Sequence, residues 1–223
     1  MNIVEYADRE MLNMQVANVL AGELRKALSL SEFASFVVPG GTTPGPIFDL
    51  LSGTELDWSR VHVMLTDERW VGEDNSHSNA RLVKQRMLTG HAADAAFLPF
   101  YRDGLTATEG ATAVAETLSP EFPISVLLLG MGADMHTASL FPGGDGLEAA
   151  LASGAPALCR VLPKGQDMER VTLSAQILKG AMSTHLVIFG DEKRDALEKA
   201  LTLPPEEAPI GAVLGAGTVH WAA

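Results

Sequence analysis

The sequence predicts an α/β protein, a Rossmann-like three-layer sandwich with a mainly parallel sheet between helices. Three observations predict it. The runs "ASFVV" (34–38), "ISVLLLG" (124–130) and "THLVIFG" (184–190) are apolar nearly throughout, as strands covered on both faces must be. Segments of helical character alternate with these strands. Polar clusters recur where strands end, at 39–43, 67–70, 130–137 and 190–194. Open α/β sheets bind ligands outside the carboxyl ends of their strands, so these four segments are expected to line one crevice.

The elements follow in order. Met11, Met14, Ala17, Leu20, Leu24 and Leu28 recur at helical spacing, which predicts an amphipathic helix over 8–28. The strand 34–38 runs into "PGGTTPG", where Thr42 or Thr43 can cap a following helix and Pro44 suits its first turn. "VHVMLT" (61–66) is a second strand, ending in the charged "DERW". Residues 79–88 and 109–118 read as helices, with Ser78 or Asn79 as a cap for the first. After the strand 124–130, "RVTLSAQIL" (170–178) reads as a strand end followed by a helix. The strand 184–190 leads into a polar-faced helix, 191–201. "PPEEAP" (204–209) is a loop, and "TVHWAA" is a last short strand. There is no internal repeat or interdomain linker, so residues 1–223 are expected to form a single domain.

Composition narrows the class. At 47% hydrophobic residues the chain can bury a sizeable core. Its formal charge of −12, with 28 acids against 16 bases, leaves no basic footprint for nucleic acid. An anionic ligand must therefore be held by local donors against the overall field. The one cysteine, Cys159, permits no intrachain disulfide and reads as packing. The N-terminus has acids where a signal peptide carries bases, and no apolar run approaches the roughly 20 residues of a membrane span. The expectation is a cytoplasmic protein without a membrane partner, a monomer or small homo-oligomer.

Four segments are candidates for chemistry. In "VVPGGTTPGPIFDLL" (37–51), Gly40 and Gly41 allow backbone conformations closed to other residues. Free amides, the hydroxyls of Thr42 and Thr43 and a helix N-terminus then suit a phosphate; the plain alternative is a tight capped turn. No Gly-Lys-Ser/Thr follows, so this is not a Walker loop. Asp67, Glu68 and Arg69 follow a strand, and Arg69 suits a carboxylate or a phosphate as a fork; the alternative is a surface ion pair. "GMGADMHTASLFPG" (130–143) is the most informative segment. Its Gly130 and Gly132 lack the third glycine of a dinucleotide fingerprint, because Met135 stands there. His136 suits a general base, and Asp134 suits a ligand contact or a polar neighbour. Standing alone such a histidine would more often cap a helix, but three other polar clusters are expected to converge with it. Lys193 opens a helix after a strand and can reach back over the crevice, although Glu192 and Arg194 fit a solvated face; Arg170 is similarly placed. His62, His77, His91, His185 and His220 show no metal-ligand spacing.

Taken together, "PGGTTP", "DERWV…SHSNARL", "LLLGMGADMHTASLFPG", "RVTLS" and "IFGDEKR" resemble the 6-phosphogluconolactonase family over nearly the whole chain. The resemblance implies the fold shared with glucosamine-6-phosphate deaminases. It also implies hydrolysis of 6-phospho-D-glucono-1,5-lactone in the pentose phosphate pathway, without metal or cofactor. On it, Gly40, Gly41 and Thr42 would cradle the phosphate. Arg69 and Lys193 would surround the anionic substrate, with Arg170 adding to the phosphate site. Asp67 and Asp134 would hold sugar hydroxyls or fix the histidine, and His136 would activate water. Met135 replaces the usual glycine before the histidine, where a positive φ would cost about 1 kcal/mol or more. His77 replaces the aspartate common in "SDSN".

Two rival functions share these features. An amino-sugar phosphate deaminase or isomerase would carry a glutamate soon after the histidine, in a segment resembling "FNEPG". Here the matching stretch is "SLFPG", with Leu140 and Phe141 and no carboxylate. A non-catalytic sugar-phosphate-binding module would have no need of His136.

Overall fold

The structure is a computed structural model that describes residues 2–223. The chain opens with β1 (Asn2–Glu5) and α1 (Arg9–Leu30), then β2 (Ala34–Val38), α2 (Gly45–Ser52), β3 (Val61–Leu65) and β4 (Asp67–Arg69). Next come α3 (Asn79–Arg86), β5 (Ala96–Phe97), α4 (Ala107–Thr117), β6 (Val126–Gly130), α5 (Leu147–Leu151) and β7 (Leu158–Val161). The last third holds β8 (Arg170–Leu173), α6 (Ala175–Lys179), β9 (Ser183–Phe189), α7 (Asp191–Ala200), α8 (Pro209–Leu214) and β10 (Thr218–Ala222).

Seven strands form one parallel sheet in the order β1-β10-β9-β6-β2-β3-β5. The strands expected from apolar runs are its centre. Val37 stands opposite Met64 on one side and Leu127 on the other. From β2 the chain adds β3 and β5 on one flank, then returns to add β6 on the other. That reversal leaves a crevice between the loops that follow β2 and β6, because the two connections depart to opposite flanks.

The long first helix forms as expected, with Ala17, Leu20, Leu24 and Leu28 on its inward face. Asp8 caps it, accepting from the backbone N–H of Met11 at 2.7 Å. Its buried stripe is Leu12, Val16, Ala17, Leu20, Ala21, Leu24 and Leu28. Met11 and Met14, expected in that stripe, are 44% and 47% exposed. Leu12, Val16, Leu20, Leu24 and Leu28 recur every four residues, and that row sets the inward face.

The start of α2 also differs from the expected threonine cap. Its cap is Pro44, and neither Thr42 nor Thr43 makes a capping hydrogen bond. The backbone N–H of Gly45 reaches the carbonyl of Thr42 at 3.3 Å, so the turn closes through main chain. The threonine side chains are released from structural duty, and Ile47, Phe48 and Leu51 anchor the helix.

The charged "DERW" segment is partly a strand. β4 pairs antiparallel with β8, which pairs with β7, in a small second sheet. Register places Arg69 opposite Arg170 and Asp67 opposite Thr172. Segment 170–178 is a strand and then a helix, as expected. α8 begins at Pro209, where the expected loop ends. No described helix is long and apolar enough to cross a membrane.

Candidate active site

Above the crevice lies a cavity of about 280 Å³, walled by the loops after β2 and β6, by β4 and β8, and by the starts of α3 and α7. Gly40, Gly41, Thr42 and Thr43 form one wall. Gly41 has φ +87°, a conformation that side chains resist. At Gly40 a Cβ would overlap the amide of Asn79.

That amide organises the next wall. Asn79 Nδ2 donates to the Asp67 carbonyl at 2.9 Å, and Asn79 Oδ1 accepts from Arg69 Nη1 at 2.7 Å. The same guanidinium nitrogen donates to the carbonyl of His77 at 3.0 Å. Arg69 is thus aimed by neutral acceptors rather than by the carboxylate partner a surface ion pair would need, so its charge remains available to a ligand. The His77 contribution is main chain, and its side chain turns outward to Asn75 Oδ1 at 3.1 Å. Histidine in place of aspartate leaves the Arg69 contact intact.

Asp67, 5% exposed, accepts from Thr66 Oγ1 at 2.8 Å and from Ser139 Oγ at 2.5 Å. Glu68 points the other way and is fully buried. It accepts from the backbone N–H groups of Asn79 (2.7 Å), Ala80 (2.8 Å) and Arg69 (2.9 Å) and from Ser78 Oγ (3.2 Å). Burial pushes this carboxyl above its ordinary range, and the N–H groups of Asn79 and Ala80 pull it back.

Arg170 stands across from Arg69 in the strand register. Its Nη2 donates to Gln166 Oε1 at 2.8 Å, and its guanidinium carbon lies 5.0 Å from the Phe141 ring centroid. Burial lowers its pKa from the ordinary arginine value, the charge of Arg69 adds to that, and Asp67 opposes it. Two neighbouring guanidinium groups with buried, unpartnered Nε atoms make an environment that favours an anion. Lys193, in the first turn of α7, adds a third cation. The adjacent Arg194 pairs instead with Glu5 and Glu198.

The loop after β6 supplies the histidine. Met135 N–H donates to the Gly132 carbonyl, and Gly132 N–H donates to the His136 carbonyl, both at 3.0 Å. This tight turn needs φ +65° at Met135, the strain anticipated there. Asp134 Oδ1 accepts from the His136 backbone N–H at 3.3 Å and lies 2.5 Å from its Nδ1. With the proton on Nδ1, the Nε2 lone pair is free. Gly132 has the space that this pair requires, since a Cβ there would strike both the ring and the carboxylate. The Gly-x-Gly spacing thus serves the histidine. Phe141 stacks on the imidazole, with centroids 4.0 Å apart and planes at 21°.

Every candidate residue except Asp134 lines the cavity, and Asp134 backs His136. The reading from sequence missed Asn79 as a site residue, along with Ser139 and Phe141. "SHSNAR" carried the only signal for Asn79, and it read equally as a helix cap. Among the described residues no cluster of His, Cys, Asp and Glu could hold a metal ion. Cys159 is buried, and burial pushes its thiol up to about 11.

Comparison with known proteins agrees with this architecture. The chain is 40% identical to a 6-phosphogluconolactonase of Pseudomonas aeruginosa over 210 residues, covering 92% of this chain and 88% of the relative. It is also 40% identical to one from Rhizobium meliloti over 215 residues, with 93% and 92% covered. The crystal structure of a 6-phosphogluconolactonase from Shewanella baltica superposes with a TM-score of 0.94 at 36% identity, covering 100% of this chain and 98% of that one. Residues 7–221 match the family described as glucosamine-6-phosphate isomerases/6-phosphogluconolactonase, and the chain belongs to that family.

Proposed function

We infer that the protein hydrolyses 6-phospho-D-glucono-1,5-lactone to 6-phosphogluconate, acting as one domain in the cytoplasm. One observation carries the reading: a histidine held by Asp134 shares a cavity with a glycine-threonine loop and three cations. The loop 40–43 receives the phosphate through backbone amides and the free threonine hydroxyls. Arg69, Arg170 and Lys193 supply the charge that a protein of net −12 otherwise withholds. In this reading the lactone ring faces His136, which lines the same cavity.

Neutral His136 takes a proton from water through Nε2 as the water oxygen attacks the lactone carbonyl carbon. The tetrahedral intermediate collapses by breaking the bond to the ring oxygen. The imidazolium returns its proton to that oxygen, leaving a carboxylic acid and a hydroxyl. Asp134 keeps the imidazole in the needed tautomer and stabilises its charged form. In the same reading Asp67, which accepts from Thr66 and Ser139, holds a sugar hydroxyl.

A deaminase would need a carboxylate beside the histidine after the Asp-x-His element. Phe141 covers that side of the ring. The test is acid release from the lactone above its spontaneous rate, with His136→Ala as control and ammonia release from glucosamine-6-phosphate measured in parallel. Acid release lost in the variant, without ammonia, is expected. Enzymatic ammonia release would establish the deaminase, and binding with no acid release above background would establish a binding module.

A further inference from the structure

Phe141 touches both halves of the proposed machinery, and nothing in the reaction scheme above uses it. Its ring stacks on His136 at 4.0 Å, and the Arg170 guanidinium carbon is 5.0 Å from its centroid. We propose that Phe141 is a positioning residue that holds the His136 imidazole and the Arg170 guanidinium in fixed planes at a fixed spacing across the cavity.

The supports of its two partners show why such a residue is needed. Asp134 holds one edge of the imidazole. One edge bond fixes a direction but leaves the ring free to tilt about it, and a flat neighbour at stacking distance removes that freedom. Arg170 is held on one side by Gln166, and on the other only by a long 3.5 Å contact from Nη1 to Ser139 Oγ. Its buried Nε has no acceptor. The aromatic face is the remaining surface that can set the plane of this guanidinium.

Phe141 is itself well anchored. The fully buried Leu140 precedes it and donates its N–H to the Thr137 carbonyl at 3.0 Å. The Phe141 carbonyl accepts from Gly144 N–H at 3.0 Å. A ring fixed at both ends of its backbone can transmit that rigidity to the side chains lying on it. The chemistry also suits an aromatic side chain. Arg170 is a cation and His136 becomes one as it takes the proton from water. A π face attracts either charge, whereas an aliphatic side chain of similar bulk attracts neither.

This proposal rests on the lactonase reading, and the experiment separates the two. Wild type, Phe141→Leu, Phe141→Tyr and Phe141→Trp are assayed for lactone hydrolysis over a pH series, and calorimetry measures binding of 6-phosphogluconate. The leucine variant is expected to lose about three- to ten-fold in kcat, the worth of one aromatic contact, and to raise KM and product Kd several-fold. The acid limb of its kcat profile should move to lower pH, because the imidazolium loses its π neighbour. A side chain that only filled space would leave that limb in place. At least one aromatic variant should remain within about two-fold of wild type, by the same contact. Phe141→Met replaces the leucine variant if that protein does not fold. An aliphatic variant with wild-type kcat, KM and acid limb overturns the proposal, as do aromatic variants no better than leucine. A wild type without lactonase activity overturns the functional reading instead.

Discussion

His136 and Met135 are adjacent, and the turn that presents the first strains the second. General-base assistance is typically worth about 10²–10⁴ in rate. His136→Asn is expected to lower kcat by about that factor while KM changes little, measured by steady-state hydrolysis; near-normal turnover in the folded variant would pass the role of base to Asp134. At Met135, φ +65° costs about 1–2 kcal/mol for a residue with a side chain. Glycine relieves that strain but adds about 0.4–1 kcal/mol of unfolded-state entropy. Both Met135→Gly and Met135→Ala lose the packing of the partly buried side chain. The glycine variant should therefore be more stable than the alanine variant by about 0.5–1 kcal/mol, read from urea midpoints; the reverse order would show the turn to be unstrained. The charged and titratable site residues were legible in the sequence because their types announce chemistry. Asn79, Ser139 and Phe141 were not, because neutral side chains acquire a role only from their partners. Ser139 meets Asp67 across 72 positions of chain, and no local pattern encodes that meeting.

At the scale of elements, the large sheet presents the site and the small one equips it. The β2, β3, β6 and β9 strands were readable because strands covered on both faces must be apolar. Of the β4–β8–β7 sheet only β8 was, since "DER" lacks a strand signature and its pairing comes from a segment about a hundred residues on. This charged strand is tied to α3 by Glu68, whose carboxylate accepts from three backbone N–H groups and one hydroxyl. Each buried donor left without a partner costs about 1–3 kcal/mol. Glu68→Ala should lower stability by about 3 kcal/mol or more, measured by denaturant unfolding. It should also raise KM, because Asn79, which aims Arg69, begins that helix. A variant with unchanged stability and KM would show that α3 holds its place without the carboxylate.

Over the whole molecule, two buried histidines on β10 and β9, outside the cavity lining, tie stability to pH. Beyond β6, a hydrogen-bonded chain with a buried centre runs from Tyr6 Oη to His220 Nδ1 at 2.8 Å, from His220 Nε2 to His185 Nδ1 at 3.0 Å, and from His185 Nε2 to Ser183 Oγ at 3.0 Å. It crosses β10 and β9 beside α1 and satisfies both imidazoles in their neutral forms. Burial first, and then the other imidazole, lowers the His220 pKa to about 4. Burial lowers that of His185 too, with Glu23 opposing. In the unfolded chain a histidine titrates near about 6.5. The unfolded state therefore binds the extra proton first as pH falls. The stability contributed by a neutral His220 is complete above about 6.5 and is lost progressively as pH falls toward about 4. At about pH 4.5 the loss from this residue alone is about 2–3 kcal/mol. Urea unfolding of wild type between pH 7.5 and 4.5 should show it, and His220→Gln should flatten the profile by about that amount, since glutamine takes up no proton. Parallel profiles for the two proteins would place the acid sensitivity in other groups. A flattened profile would show that the buried histidine pair on β9 and β10 sets the acid limit of the fold.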